Sequence, residues 1–321
     1  MDPVRVIADA VLYEGYVVWP YTRAAPKKEQ RFTWGGVYPK GWPHDRSDLV
    51  VQCLVEGDGQ PVVDVRARFL HVVRCQVHDA SGEAVDELTV GGQRHLTRDE
   101  AIEREVVAGD GPFTIGEGRQ EEVLEEGAGT LVRTWKPLSG VLSVVTRKLR
   151  PGLRRLTVRV ANTAIWDGAP REATLRRTLC STHAVLRLRD GAFVSLGDPP
   201  GELARAAADC RQEGLWPVLL GETGERHTVL ASPLILDDHP QVAPGRADDV
   251  FDGGEMNGLL VLGLLALTDE ERSGMRTGDP RTREILERTE ALTRRQRMAL
   301  HGTVGSGGTP VMRSVTEIKQ P

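Results

Sequence analysis

The feature that most limits the fold of this chain is a long alternation of apolar and polar residues from Val63 to Val77. Every second residue is apolar or small except His71, and most of the residues between them are polar. Period-two alternation is typical of a strand with one face on a core, and a run this long predicts an antiparallel sheet. A lone histidine on such a face is more often a hydrogen-bonded core residue than a ligand, so we interpret His71 as structural.

Further strand-like runs fill most of the first 235 residues. They are Asp48–Glu56, Thr130–Trp135, Gly140–Leu149, Leu153–Asn162, Ala173–Arg189, Ala192–Leu196, Val218–Gly221 and Thr228–Leu236, with two strands predicted in 4–42 and short strands and loops in 79–126. Asp190-Gly191 has the composition of a hairpin turn, and Gly201–Gln212 has the one clear helical pattern of this part. These patterns predict an α+β, mostly β fold: an antiparallel β-sandwich-like domain with a small C-terminal helical segment.

The pattern changes from strand-like to helical in an acidic stretch between residues 232 and 267. Asp252 and Glu255 have the spacing of a capping box, and further capping signals predict short helices as far as Gly302. The composition after Gly302 is typical of a disordered tail. We therefore divide the chain into a β-rich domain (1–235), an acidic loop with short capped helices packed on it (236–302) and a disordered tail (303–321).

Charge and cysteine usage exclude several classes of protein. The net charge is −5 with both signs interspersed, so no basic surface for a nucleic-acid partner is predicted. The four cysteines are far apart and have no metal-ligand spacing, which is typical of buried thiols in a reducing compartment. The N-terminus does not resemble a signal peptide, and the longest apolar run, about ten residues, is too short to span a membrane. We expect a soluble, cytoplasmic protein.

Two sets of side chains are candidates for binding. Aromatic residues crowd the opening segment, either as a core of amphipathic rings or as a stacking platform for a ligand or partner: Tyr13, Tyr16, Trp19, Tyr21, Trp34 and Tyr38. The acidic stretch supplies carboxylates and an imidazole of the kind that a metal site or an acid–base pair needs: Asp237, Asp238, His239, Asp252 and Glu255. Two of these acids have the alternative role of helix caps. We predict no cofactor, with a divalent metal ion as the alternative.

No complete catalytic set is recognisable in the sequence. Cys180 and His183 are a thiol and an imidazole three residues apart in a predicted strand. Residues at that spacing point to opposite faces of a regular strand, so we predict that they do not form a nucleophile–base pair.

Several segments resemble one uncharacterised protein family that is encoded beside nickel–iron hydrogenases of the high-oxygen-tolerance type. The segments are VIADAVLYEGYVVWPY (6–21), RFTWGGVYP (31–39), VDVRARFLHVVRCQ (63–76), STHAVL (181–186), GAFVSLGDPP (191–200), WPVLLGE (216–222), SPLILDDHPQVAP (232–244) and FDGGE (251–255). The resemblance covers roughly residues 4–302. It carries no established activity and no catalytic residue, and it implies a role in hydrogenase assembly or operation.

The chain departs from this family in two places. Family members are more acidic after FDG, where this chain has Gly254–Gly258 (GEMNG), so a metal site formed by those acids would be incomplete here. Family members also continue into a further β-rich piece that Val304–Pro321 does not resemble, which suggests a naturally shortened form.

We hypothesise a non-enzymatic accessory protein of a [NiFe] hydrogenase system. It would act in assembly or maturation by contact with hydrogenase subunits or maturation proteins. The alternatives are a β-sandwich module that binds a small molecule or carbohydrate through the aromatic opening segment, and a metal-dependent hydrolase that uses the acidic stretch 237–255.

Overall fold

The computed structural model describes most of the chain between residues 35 and 240. The described residues are 7, 8, 12, 35–109, 111–240, 272, 276, 283, 286, 287 and 290. Their strands pair in antiparallel sheets with few helices and a sandwich-like packing, which confirms the predicted fold class. No helix among these residues is long and apolar enough to cross a membrane.

Sixteen strands are found in the described residues. They are β1 (Asp48–Glu56), β2 (Val63–Asp79), β3 (Ala84–Val85), β4 (Glu87–Val90), β5 (Gln93–Leu96), β6 (Arg98–Val107), β7 (Pro112–Ile115), β8 (Gly118–Val123), β9 (Gly129–Trp135), β10 (Leu138–Arg150), β11 (Leu153–Asn162), β12 (Cys180–Leu188), β13 (Ala192–Val194), β14 (Gln212–Glu213), β15 (Trp216–Leu220) and β16 (Thr228–Ser232). The helices are short: α1 (Arg171–Leu175), α2 (Ala204–Ala208) and 3-10 turns at Glu125–Gly127 and Gly201–Leu203.

The strands form two main sheets. Sheet I has the order β13-β1-β11-β10-β7, and β14 pairs with β1 beside it. Sheet II has the order β15-β16-β12-β2-β9-β8, and β3 and β6 also pair with β2. The hairpin β4–β5 forms a separate two-stranded sheet. Strand β2 is therefore the centre of sheet II and pairs with four other strands.

The main core lies between the two sheets. Val65 and Phe69 of β2 point into it and are buried, as the alternation predicts, and they belong to the same cluster as Val51 of β1 and Val158 of β11. Burial of these faces on opposite sheets is what a sandwich requires. The sequence pattern of β2 thus predicts the sandwich-facing half of this strand correctly.

The far end of β2 belongs to a second, smaller core. Cys75 and Val77 pack with Leu124 and Leu131, and the β4–β5 hairpin adds partly buried apolar residues to this cluster. A single strand of 17 residues therefore connects two separate apolar cores.

The predicted strand Ala173–Arg189 is wrong in its first third. Residues 171–175 form helix α1, and β12 begins only at Cys180. The hydroxyl of Thr174 donates to the carbonyls of Ala169 and Pro170, both at 3.1 Å, which stabilises a helical turn directly after the proline. The local pattern of side-chain bonding therefore prevails over the β propensity of this segment.

Two further boundaries differ from the prediction. The helix predicted over Gly201–Gln212 ends at Ala208, because the Gln212 side chain donates to the Gln52 carbonyl at 2.8 Å and holds β14 against β1. The turn Asp190-Gly191 is not a hairpin turn, since β12 lies in sheet II and β13 pairs with β1 in sheet I. This turn instead carries the chain from one sheet to the other.

The opening segment is not simply a pair of strands. Ile7, Ala8 and Leu12 are helical, which corrects the strand predicted there. Ala8 packs with Val185 and Leu230 on the outer face of sheet II, the face that points away from sheet I. The six described residues between 272 and 290 are helical, while the predicted disordered tail lies outside the described residues. The domain boundaries therefore stay a prediction.

Candidate functional site

The structure places Asp238 and His239 at the edge of sheet II. The Asp238 Oδ1 atom accepts a hydrogen bond from the Leu219 amide at 2.7 Å, and the His239 amide donates to the Leu219 carbonyl at 2.8 Å. These two residues cover the outer edge of β15, whose other side pairs with β16. Backbone groups on an edge strand are a template for unwanted pairing, so one role of this loop is to protect the edge. Asp237 is exposed.

The predicted metal site is only partly within the described residues. Among them, no group of three or more His, Cys, Asp or Glu side chains could hold a metal ion. Asp252 and Glu255 lie outside the described residues, so the convergence of the five predicted ligands stays a prediction. His239 has a φ of 54°, and its Nδ1 atom is buried with no hydrogen-bond partner in the described part of the chain.

Replacing Asp238 by alanine should lower the free energy of unfolding by about 1–3 kcal/mol, because the Leu219 amide loses its acceptor at the sheet edge. The matched control is Asp237→Ala, which removes an exposed carboxylate from the adjacent position and should change stability by less than about 0.5 kcal/mol. Urea denaturation of the two variants and the parent protein measures the difference. Equal effects of both substitutions would contradict the anchoring role.

The prediction that Cys180 and His183 point to opposite faces is wrong. Cys180 lies opposite Leu70 of β2, and His183 lies opposite Arg68. The step from Cys180 to His183 is three residues on β12, whereas the facing step on β2 is two residues. Such a bulge, with Ser181 at a φ of 51°, reverses the alternation and brings both side chains to the outer face of sheet II. Sequence reasoning missed it because a serine gives no signal for a positive φ.

The shared face does not make this pair an activated nucleophile. Burial raises the pKa of the Cys180 thiol to about 12, so the thiol is protonated at neutral pH. Burial and the nearby Arg68 charge lower the pKa of His183 to about 3. The Cys180 Sγ atom is 3.8 Å from the Thr178 carbonyl oxygen, and the His183 Nδ1 atom is 3.4 Å from the Ser181 carbonyl oxygen. Both side chains are directed to backbone groups.

An aromatic cluster does form, but around a residue that was not among the six candidates. Tyr13, Tyr16, Trp19, Tyr21 and Trp34 lie outside the described residues. Tyr38 is buried and stacks on Trp42 at 5.8 Å between ring centroids. The Trp42 ring also makes edge contacts with His44 at 5.0 Å and with Trp166 at 5.3 Å. We call Tyr38, Trp42, His44, Ile165 and Trp166 the Trp42 patch.

Backbone pairing holds the Trp42 patch in place. The Lys40 amide donates to the Ala164 carbonyl at 2.7 Å, and the Trp166 amide donates to the Lys40 carbonyl at 3.0 Å. Trp42 and Trp166 are half-buried, and Ile165, the residue before Trp166, is 64% exposed. Trp42 and Trp166 are more than 120 residues apart in the sequence, so no local pattern could have predicted their contact.

Asn162 fixes the base of this patch. Its Nδ2 atom donates to the carbonyls of Val37 at 3.0 Å and Arg177 at 2.7 Å, and its Oδ1 atom accepts from the Ala164 amide at 3.0 Å. The side chain is 3% exposed. One buried amide therefore connects the segment before Trp42, the end of β11 and the loop after α1.

His71 is buried but is not the hydrogen-bonded core residue that the sequence predicted. Neither ring nitrogen has a hydrogen bond of ordinary geometry within the described residues, although the backbones of Lys136 and Arg176 lie close by. Burial, and secondarily the Arg104 charge, lower the pKa of His71 to about 4, so the ring is neutral at pH 7.

Comparisons with known proteins do not assign this chain to a family. A scan against protein-family models and a search of curated proteins find no match to this chain.

Proposed function

We propose that the protein is a non-enzymatic, cytoplasmic accessory protein of a [NiFe] hydrogenase system, and that it acts by protein–protein contact. The observation that supports contact is the Trp42 patch. Half-buried tryptophans at the centre of a surface, fixed by backbone pairing, are the residue type that dominates binding energy in protein interfaces. The resemblance to a hydrogenase-associated family suggests the partner class: hydrogenase subunits or maturation proteins.

The surroundings of the Trp42 patch fit an interface rather than a solvent-only surface. Ile165, the residue before Trp166, exposes most of a large apolar side chain. Around it lie exposed charged residues, including Asp167, which pairs with Arg177 at 2.9 Å. An apolar aromatic centre with a charged rim is the usual composition of a specific interface. The rigid backbone lowers the entropic cost of binding.

The thiol–imidazole pair on β12 does not compete with this proposal. A protonated Cys180 and a neutral, buried His183 lack the thiolate that nucleophilic catalysis requires. The acidic stretch 237–255 keeps its alternative role as the metal site of a hydrolase.

Affinity purification of the tagged protein from cells that make the hydrogenase should recover hydrogenase subunits or maturation proteins. Ile165→Asp replaces an exposed apolar side chain of the patch by a charge and should reduce that recovery by at least about tenfold, since the few residues that dominate an interface contribute about 2 kcal/mol or more. The same substitution at Val145, an apolar residue of β10 that is 61% exposed, is the matched control and should leave recovery unchanged.

Two results would count against the proposal in different ways. Full recovery of the partner by the Ile165→Asp variant would show that the Trp42 patch is not the contact surface. A clean deletion of the gene that leaves hydrogenase activity and processing unaltered would remove the hydrogenase association itself. Thermal unfolding of both variants must show that each remains folded.

A further inference from the structure

A layer of polar side chains separates the two apolar cores along β2. It lies on the face of sheet II that points toward sheet I, after Phe69 and before Val77. Its members come from β2, β6 and β9 and are His71, Arg98, Glu100, Arg104, Arg133 and Trp135. Polar groups in such a position are costly unless each has a partner, so the partners of each residue are informative.

Most charges in this layer are balanced. Glu100 is 4% exposed and accepts from Arg133 Nε at 2.7 Å and from Arg98 Nη2 at 3.5 Å. Arg133 also donates to the carboxylate of Glu122 at 2.7 Å. These contacts form a continuous network of two carboxylates and two guanidinium groups, which explains why the burial of Glu100 is tolerated.

Arg104 is the exception in the layer. No carboxylate in the described part of the chain pairs with it, and burial lowers the pKa of its guanidinium. The Nε and Nη2 atoms are both buried and have no acceptor among those residues. These two atoms lie on the same edge of the planar group, where their N–H bonds are parallel and match two oxygens of one carboxylate or phosphate. The guanidinium group also lies over the face of the Trp135 ring, with Arg104 Cζ 5.3 Å from the ring centroid.

His71 supplies a second set of polar atoms without partners. It lies opposite Ile102 on β6, two positions along from Arg104, and points to the same side of the sheet. The side chain is completely buried, and neither nitrogen has a hydrogen bond of ordinary geometry within the described residues, although the backbones of Lys136 and Arg176 lie close to the ring. The neutral ring carries one N–H, which can donate to an oxygen. Arg104 thus offers two donors without an acceptor among the described residues, and the His71 imidazole lies beside it on the same side of the sheet.

We propose that Arg104 and His71 bind the carboxylate or phosphate group of a small molecule, which would contact the guanidinium edge and one imidazole N–H at the side of Trp135. The charge of the ligand would neutralise a guanidinium that no described carboxylate pairs with. Trp135 is held by its own hydrogen bond from Nε1 to the Gly116 carbonyl at 3.1 Å, so its ring forms a fixed wall for the guanidinium. Lys136, the next residue, is exposed and adds a positive charge beside Trp135.

The test is a titration of the full-length protein with inorganic phosphate and, separately, with acetate, each followed by its effect on the thermal unfolding temperature. Sodium chloride at equal ionic strength is the reference. A saturable increase with either anion beyond the chloride reference is expected, and the more effective anion identifies the chemical group. Arg104→Met should reduce the affinity at least tenfold. Arg147→Met, at an exposed arginine of β10, is the matched control and should bind as the parent does.

A second substitution separates binding from folding. His71→Gln keeps a donor in a similar position and should retain more of the affinity than His71→Leu. Unfolding of each variant without added anion establishes that it is folded. An anion effect no larger than that of chloride in the parent protein, or an equal effect in the Arg104→Met variant, would overturn the proposal. Either result leaves the contact surface proposed at the Trp42 patch untouched.

Discussion

Lowering the pH from 7 to 4 should destabilise the protein by about 5 kcal/mol through two buried imidazoles. His71 and His183 have pKa values lowered to about 4 and about 3 from an ordinary value of 6.5. In the unfolded chain both rings bind a proton as the pH falls through 6.5, whereas in the folded protein they stay neutral. Their contribution is therefore complete above pH 6.5 and is lost progressively between pH 6.5 and about pH 3.

Urea denaturation at pH 7, 6, 5 and 4 measures this dependence. His71→Leu and His183→Leu should each flatten the pH dependence of the unfolding free energy in this window, whatever they do to stability at pH 7. His227→Gln removes an exposed histidine and is the matched control. If the two core variants keep the slope of the parent protein, the assignment of the acid sensitivity to these rings is wrong.

Replacing Asn162 by alanine should cost about 3 kcal/mol of unfolding free energy. Three backbone groups, the carbonyls of Val37 and Arg177 and the amide of Ala164, lose their side-chain partner in a buried position. Each buried backbone group left without a partner costs about 1–3 kcal/mol, and partial relaxation reduces the total. The effect should be largest around Trp42, because Asn162 connects the three segments that carry the patch.

A matched amide is available for comparison. Gln212 also bonds to the backbone of another strand, through Nε2 to the Gln52 carbonyl at 2.8 Å and through Oε1 to the Gln52 amide at 3.3 Å, but it is only half-buried. Gln212→Ala should cost about 1 kcal/mol, because water can replace the lost bonds. Urea denaturation compares the two variants, and an equal loss for both would show that burial does not set the cost at Asn162.

The sequence predicted the fold class because its strongest signal, the alternation in β2, is also the centre of the larger sheet. Sequence patterns over a few residues cannot predict contacts between distant segments, and the candidate sites are formed by such contacts. Trp42 contacts Trp166, which is more than 120 residues away in the sequence. The bulge at Ser181 requires a positive φ, which a serine rarely adopts. Arg104 lies in 79–126, where we predicted only short strands and loops, and only the register with Phe69 places it on the core side.

The pairing of β1 and β2 has a consequence for the order in which the chain acquires structure. β1 pairs with β11, where Asp48 lies opposite Ala161, and β2 pairs with β12, where Leu70 lies opposite Cys180. Both contacts close loops of more than 100 residues, and folds dominated by such contacts fold slowly. At a synthesis rate of about 5–20 residues per second, β1 waits several seconds or more for β11, and β2 waits as long for β12, although its partners β6 and β9 are made sooner. During that time the apolar sides of β1 and β2 are exposed on the nascent chain, where chaperones can bind them.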